Sequence, residues 1–194
     1  MGGLEPSELI LVRHATTDWT GVRFCGLADP PLNDAGRRQA AALAEELAAT
    51  LPNGVRIVSS PLRRALETAT AIGRATGGKV VVDERWREVD MGDVEGLTWD
   101  EVEARSPDLA AQLATGPVDV SWPGGDPAGA LTERMRAALA DLGIRHETTV
   151  VVSHGGPIRL AVRLAGELST SDPGVVSAGQ VVRLRLDSSA RAGA

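Results

Sequence analysis

The chain of 194 residues contains one cysteine, no tyrosine and only three histidines. A lone Cys25 excludes a disulfide within the chain and a zinc cluster built from cysteines. No apolar run approaches the roughly 20 residues of a membrane span, and residues 1–7 lack a basic segment followed by a hydrophobic one. We therefore expect a cytoplasmic protein without a membrane partner.

Positive charge is also scarce, because 20 Lys and Arg residues face 26 Asp and Glu residues, for a net charge of −6. An acidic chain argues against a general nucleic-acid surface, so any basic site must be local. The length and a hydrophobic content of 43% suit a single domain over residues 1–194, with a loose tail from about residue 188.

A short apolar run, Leu9 to Val12, stops abruptly at Arg13 and His14. Four consecutive aliphatic residues are typical of a strand that is buried on both faces. Ligands of open α/β sheets bind beyond the carboxyl ends of such strands. The sequence therefore predicts that Arg13 and His14 stand at a ligand-binding edge.

Similar patterns recur along the chain. Apolar runs predict further strands at residues 55–58, 79–83, 149–152, 175–177 and 181–186. Helices are predicted at five places. The first follows a cap at Asn33 or Asp34, and the second follows Ser60 as N-cap with Pro61 as the first helical residue. The other three cover residues 99–113 with a break at Pro107, residues 131–142 with Arg134 outward, and Pro157 to Leu164. Alternating strands and helices imply an α/β three-layer sandwich, a mostly parallel sheet with helices on both faces.

Topology then brings the strand ends to one edge of the sheet. These ends carry Arg13 with His14, Arg63 with Arg64, Glu88, and His154. Several cations and one carboxylate suit a phosphoryl group, whose oxygens need fixed positive donors. A neutral imidazole can attack phosphorus, and a carboxylic acid can protonate the departing alkoxide. Residues 116–129, rich in glycine and proline, are either a lid over this site or a crossover connection.

The segment Leu11-Val12-Arg13-His14-Ala15-Thr16-Thr17 resembles the L-V-R-H-G-x-T signature of the histidine phosphatase superfamily, which includes cofactor-dependent phosphoglycerate mutases and many small phosphatases. The resemblance continues in four further blocks, at residues 26–36, 59–69, 88–96 and 152–156. Five blocks in order span nearly the whole chain and imply a phosphoglycerate mutase-like fold.

The resemblance also implies roles for individual residues. His14 would be the nucleophile that becomes phosphorylated, and Glu88 the general acid that later activates water. Arg13, Arg64 and His154 would hold the phosphoryl oxygens. Arg64 is chosen over Arg63 because it matches the arginine of the family pattern R-A-x-x-T. The resemblance implies no metal ion and no cofactor.

Two positions depart from the family pattern. Ala15 replaces the usual glycine, and Thr20 stands where many members have an asparagine that contacts phosphate. Thr20 is therefore a candidate phosphate-binding residue, whose hydroxyl reaches less far than the side-chain amide of asparagine. Both changes bear on substrate geometry more than on the chemistry.

The leading hypothesis is a phosphomonoesterase that hydrolyses a small phosphorylated metabolite through a phosphohistidine. Three alternatives stay open: phosphoglycerate mutase-type phosphotransfer, a catalytically weak binding domain, and a metal-dependent phosphoesterase using His14 and His154. Phosphosugars, phosphoglycerate derivatives, nucleotides and α-ribazole 5'-phosphate are all candidate substrates. A homodimer is compatible with the chain, whose sequence does not fix the oligomeric state.

Overall fold

The computed structural model describes residues 7–116, 119–143, 147–165 and 176–186. Five strands form one sheet: β1 (Ser7–Arg13), β2 (Arg56–Ser59), β3 (Val80–Val82), β4 (Thr149–Ser153) and β5 (Val181–Leu186). Their order across the sheet is β3-β2-β4-β1-β5. The first four strands are parallel, and β5 is antiparallel to β1. The prediction of a mostly parallel sheet is confirmed.

Six α-helices lie within the described residues: α1 (Asp34–Thr50), α2 (Arg63–Thr76), α3 (Trp99–Arg105), α4 (Pro107–Ala114), α5 (Ala130–Gly143) and α6 (Gly155–Ala165). The side chain of Asn33 accepts a hydrogen bond from Gly36 N and caps α1, as predicted. Pro107 starts α4 and separates it from α3, which confirms the predicted break. No helix in the described ranges is long and apolar enough to cross a bilayer.

Alternate residues of the buried strands feed two hydrophobic cores, one on each face of the sheet. On β1, Leu9 and Leu11 pack with α3, α4, α5 and α6, together with the buried Trp86 and Trp122. Ile10 and Val12 pack with α1 and α2 on the other face. Since side chains alternate along a strand, this division accounts for the unbroken apolar run that predicted a strand buried on both faces.

The central strands bring the expected site residues to one edge. In the register, Arg13 lies opposite Ser153 of β4, and Ser59 of β2 lies opposite Val152. The chain continues this pairing one residue further, because His14 N donates to Ser153 O at 2.9 Å and Ser60 N donates to Val152 O at 2.9 Å. The three residues that follow these strands, His14, Ser60 and His154, are therefore neighbours.

The start of α2 differs from the prediction. Its N-cap is Leu62, without a side-chain hydrogen bond, and the helix begins at Arg63 rather than Pro61. Ser60 lies two residues before the observed cap, and its hydroxyl has two partners: it accepts from Leu62 N at 3.2 Å and lies 2.7 Å from Nε2 of His154. The first helical N–H finds its acceptor in the carboxylate of Asp29, at 2.6 Å from Arg63 N.

Several further expectations need correction or fall outside the described ranges. Arg134 does not point outward: its side chain is only 10% exposed. Val176 and Ser177 are not in a strand, and residue 175 lies outside the described residues, as does the predicted tail from 188. The described part of the 116–129 segment packs as a crossover, with Val120 and Trp122 buried in the core.

Candidate active site

A pocket of about 160 Å³ opens at the carboxyl edge of the sheet. Its lining includes five of the six residues predicted for the site, Arg13, His14, Thr20, Arg64 and Glu88. The ring of the sixth, His154, lies behind that of His14, with ring centroids 5.1 Å apart. The outer wall is formed by Trp19, Arg23, Phe24, Cys25 and Met91. The topology thus gathers every predicted site residue in one place.

The imidazole of His14 is 5% exposed, and its hydrogen bonds determine its tautomer. Nδ1 lies 2.8 Å from Ala15 O, a carbonyl that can only accept, so Nδ1 carries the proton. Nε2 receives a hydrogen bond from Arg64 Nε at 3.3 Å and therefore carries a lone pair. Burial and the neighbouring Arg64 charge lower the pKa of His14 to about 3. The ring is thus neutral near pH 7, with Nε2 available as a nucleophile.

The guanidinium of Arg64, in the first turn of α2, is fully buried. Nη1 donates to Ala28 O at 2.7 Å, and Nη2 donates to Gly26 O at 2.9 Å. These two carbonyls orient the plane of the side chain so that Nε faces His14. A buried guanidinium held by carbonyls keeps its full charge available for an anion.

The loop that supplies these carbonyls is held in turn by Glu95. Its carboxylate accepts hydrogen bonds from Leu27 N at 2.6 Å, Ala28 N at 3.0 Å and Met91 N at 3.2 Å. Gly26 has a φ of +49°, and a Cβ there would overlap the Glu95 carboxylate. Only glycine lets the Glu95 carboxylate come this close to the backbone, which explains the glycine at position 26.

Arg13 adds a second cation to the pocket. Its Nη1 donates to Val176 O, while its buried Nε has no partner among the described residues. Burial lowers the pKa of Arg13, and the nearby Glu88 carboxylate opposes that shift. Neither Arg13 nor Arg64 has a carboxylate within 4.0 Å in the described part of the chain. The pocket therefore holds two guanidinium groups that are not directly paired with a carboxylate, as an anion site requires.

Glu88 is 8% exposed, and its Oε1 accepts a hydrogen bond from Val89 N at 3.0 Å. A Cβ on Gly156 would lie 2.7 Å from Oε1, so the glycine at the start of α6 leaves room for the carboxylate. The segment that carries Glu88 is held by Arg134, which donates to Arg85 O at 2.8 Å and to Arg87 O at 2.5 Å. Burial lowers the pKa of Arg134 to about 10.

His154 is completely buried, and burial together with Arg64 lowers its pKa well below the ordinary value. The ring is neutral at pH 7 for this reason. Nε2 contacts the Ser60 hydroxyl at 2.7 Å, whereas Nδ1 has no partner in the described ranges. One ring nitrogen is thus fixed, and the other is left for a ligand.

The two departures from the family pattern are accommodated differently. The methyl group of Ala15 is buried in a small cluster with Leu32 and Ala40. The hydroxyl of Thr20 lines the pocket but already accepts a hydrogen bond from Thr17 N at 2.9 Å. Ala15 is therefore a packing adjustment, and Thr20 has one lone pair committed to its own loop.

Other groups near the pocket offer less chemistry. Burial raises the pKa of the Cys25 thiol, so thiolate formation is disfavoured. Within the described residues, no group of three or more His, Cys, Asp or Glu side chains is arranged to bind a metal ion. Trp86 and Trp122 belong to the core, whereas Trp19 lines the pocket and Trp99 is 41% exposed.

Comparison with known proteins identifies the class to which this site belongs. The family model of the histidine phosphatase superfamily (branch 1) matches residues 9–191. The chain belongs to this superfamily. The family predicted from the five sequence blocks is confirmed.

Particular relatives make the similarity concrete. Phosphoserine phosphatase 1 of Hydrogenobacter thermophilus is 37% identical over 155 residues, which cover 78% of this chain and 72% of that protein. Glucosyl-3-phosphoglycerate phosphatase of Mycolicibacterium vanbaalenii is 38% identical over 164 residues, with 78% and 70% covered. The structure of a mycobacterial glucosyl-3-phosphoglycerate phosphatase with VO3 superposes with a TM-score of 0.78 at 34% identity, over 91% of this chain and 92% of that one.

Four residues with clear contacts in the site were missed from the sequence: Asp29, Ser60 as a partner of His154, Glu95 and Arg134. Each acts on a residue far away in the chain, for example Glu95 on Leu27, 68 positions earlier. Asp29, Ser60 and Glu95 all lie within the family-like blocks, which was the available signal. Arg134 lies in none of them, and helical spacing alone assigned it to the surface.

Proposed function

We propose that the chain hydrolyses small phosphate monoesters in two steps through a phosphohistidine on Nε2 of His14. The observation that supports this most strongly is the tautomer of His14: a buried neutral ring with Nδ1 bound to a carbonyl and a lone pair on Nε2. A neutral imidazole of this kind is a competent nucleophile toward phosphorus.

In the first step, the Nε2 lone pair attacks phosphorus and the bond to the leaving oxygen breaks. The protonated carboxyl of Glu88 gives its proton to that oxygen, so that the product leaves as an alcohol. The imidazole becomes cationic, and Ala15 O at 2.8 Å from Nδ1 stabilises the positive charge. Arg13 and Arg64 bind the phosphoryl oxygens, for which charge stabilisation and positioning dominate the barrier.

In the second step, water attacks phosphorus from the side the alcohol has left. The Glu88 carboxylate takes a proton from this water, and the bond between phosphorus and Nε2 breaks. Inorganic phosphate is released, and His14 returns to its neutral tautomer. The guanidinium groups supply the positive charge that metal ions provide in other phosphatases, so we propose catalysis without a metal ion. We also propose that the protein acts in the cytoplasm.

The substrate class follows from the size of the pocket and from the relatives. A volume of about 160 Å³ holds a phosphoryl group and a small part of the leaving group, well below the roughly 300–1,000 Å³ of sites for larger ligands. The similar phosphatases act, by name, on phosphoserine and on glucosyl-3-phosphoglycerate. We propose a small phosphorylated metabolite as the partner.

Hydrolysis of a panel of phosphomonoesters, with and without the chelator EDTA, tests this function. We expect release of inorganic phosphate that EDTA does not reduce and that His14→Ala abolishes. An isomerised phosphoester in place of inorganic phosphate would indicate a mutase. Loss of activity in EDTA would indicate a metal-dependent enzyme, and inactivity on every ester would favour a binding domain.

A further inference from the structure

Ser60 is a fully buried residue that the proposed mechanism leaves without a role. It follows β2 directly, and its backbone is fixed because its N–H donates to Val152 O at 2.9 Å and its carbonyl accepts from Ser59 Oγ at 2.9 Å. Its hydroxyl accepts from Leu62 N at 3.2 Å and lies 2.7 Å from Nε2 of His154. The side chain thus reaches the ring from a rigid position.

Counting protons limits what this contact can be. A hydroxyl has one proton and two lone pairs, and Leu62 N–H already occupies one lone pair. Either the hydroxyl donates to a bare Nε2 of His154, or it accepts from a protonated Nε2 through its second lone pair. For a neutral ring, the first arrangement places the proton on Nδ1, and the second leaves Nδ1 without one.

The surroundings of Nδ1 favour the first arrangement. Nδ1 of His154 is buried and has no partner among the described residues, and the ring stands 5.1 Å from that of His14. A phosphoryl group on the His14 ring presents only oxygen lone pairs to its surroundings. A protonated Nδ1 can donate to such an oxygen, whereas a bare Nδ1 would be repelled by it.

We propose that Ser60 is a positioning residue: its hydroxyl donates to Nε2 of His154 and fixes the ring as the Nδ1–H tautomer, which can donate to the phosphoryl group. This inference rests on the proposed function for its catalytic consequence only. The tautomer itself is a property of the free protein and can be measured without any turnover. Removing the hydrogen-bond partner of a metal-bound imidazole typically costs about 10- to 100-fold in activity, and we expect a loss of the same order here.

Nuclear magnetic resonance of protein labelled with ¹⁵N in its three histidines tests the proposal directly. We expect wild-type His154 to show a protonated Nδ1 and a bare Nε2, both free and with vanadate bound. Ser60→Thr, which keeps a hydroxyl, should preserve this pattern, and Ser60→Ala should give a mixture of tautomers. In kinetics, Ser60→Ala should lower kcat by about 10- to 100-fold with a smaller change in KM.

Thr76→Ala is the control, because Thr76 is also a buried residue with a hydroxyl, but that hydroxyl donates to Ile72 O at 2.8 Å at the C-terminal end of α2. We expect it to leave the His154 tautomer unchanged. A protonated Nε2 in the wild type would overturn the proposal, even if Ser60→Ala failed to fold. If His14 became phosphorylated while His154 showed that other tautomer, the proposed function would stand and the role of Ser60 would be lost.

Discussion

Arg64 Nε lies 3.3 Å from His14 Nε2 and donates its proton to the nitrogen that would attack phosphorus. Hydrogen bonds to two backbone carbonyls hold the same guanidinium in place, so its position does not depend on the His14 ring. When a phosphoryl group binds, its oxygens replace His14 Nε2 as the acceptors for Arg64 Nε. The Arg64 charge, which keeps the His14 ring neutral in the free protein, then stabilises the phosphoryl group during transfer. The two residues form one unit.

The first prediction concerns the shape of that cation. Arg64→Lys keeps the charge but cannot bind both carbonyls and the ring nitrogen, because an ammonium lacks the planar fork of a guanidinium. We expect kcat/KM for a phosphomonoester to fall by about 10²–10³-fold. Arg63→Lys is the matched control, since Arg63 is its exposed neighbour on α2 and its side chain forms an ion pair with Glu67. Equal losses in the two variants would contradict the assignment.

A second prediction separates the two roles of Glu88. Glu88→Gln removes the proton donor, so hydrolysis of an alkyl phosphate should slow by about 10²–10⁴-fold. With 4-nitrophenyl phosphate, the leaving group departs without a proton, and the first step should survive. Rapid-mixing measurements should then show a burst of nitrophenolate followed by slow turnover, because the phosphohistidine cannot be hydrolysed. The exposed Glu84→Gln serves as control, and the absence of a burst would argue against the double role.

The third prediction concerns the loop that holds Arg64. Gly26→Ala adds a methyl group where the Glu95 carboxylate lies, at a φ of +49°. We expect it to lower the free energy of unfolding by about 1–3 kcal/mol more than Gly54→Ala does, as measured in urea. Gly54 has a similar φ of +78° but open space around its Cβ position, so it isolates the cost of the backbone conformation. Similar losses for both variants would show that the Glu95 contact is unimportant.

The fourth prediction follows from the lowered pKa of His14. In the folded state this pKa is about 3, and the ordinary value is 6.5. Below pH 6.5 the His14 ring binds a proton in the unfolded chain but stays neutral in the folded protein. The contribution of His14 to the free energy of unfolding is therefore fully present above pH 6.5 and is lost as the pH falls toward 3. Each such ring contributes a slope of up to about 1.4 kcal/mol per pH unit.

Urea unfolding of wild type and His14→Asn at about pH 8 and pH 5 measures this contribution. Acidic pH should destabilise the wild type more than the variant, because Asn does not titrate. Carboxylates affect both proteins alike and cancel in the difference. An identical pH dependence in the two proteins would mean that His14 already titrates normally in the folded state.

Local patterns were sufficient to predict the five strands of the sheet, the approximate positions of the helices, and His14 and His154 at the ends of their strands. Buried parallel strands such as β1 and β4 have to be continuously apolar, and the first polar residues after them necessarily reach the edge of the sheet. The cap of α1 at Asn33 was also local, because its acceptor and donor are three residues apart.

Contacts between distant segments explain what the sequence did not reveal. Ser60 is of a residue type that favours N-caps, and its hydroxyl accepts from Leu62 N, but its contact with His154, 94 positions away, could not be read from the local sequence. Arg134 was assigned to a helix surface, yet its side chain donates to carbonyls of the segment before Glu88, and the loop carbonyl that orients Arg64 was equally hidden in the sequence. A cation that is buried against backbone carbonyls leaves no trace in hydrophobic periodicity.

The central claim is that His14 Nε2 carries the phosphoryl group, and peptide mapping of a quenched reaction tests it most directly. Glu88→Gln, mixed with 4-nitrophenyl phosphate and quenched in alkali, should yield a single acid-labile phosphate on the peptide that contains His14, with phosphorus bonded to Nε2 in ³¹P spectra. Phosphate on any other residue, or wild-type turnover without a phosphorylated His14, would contradict the account.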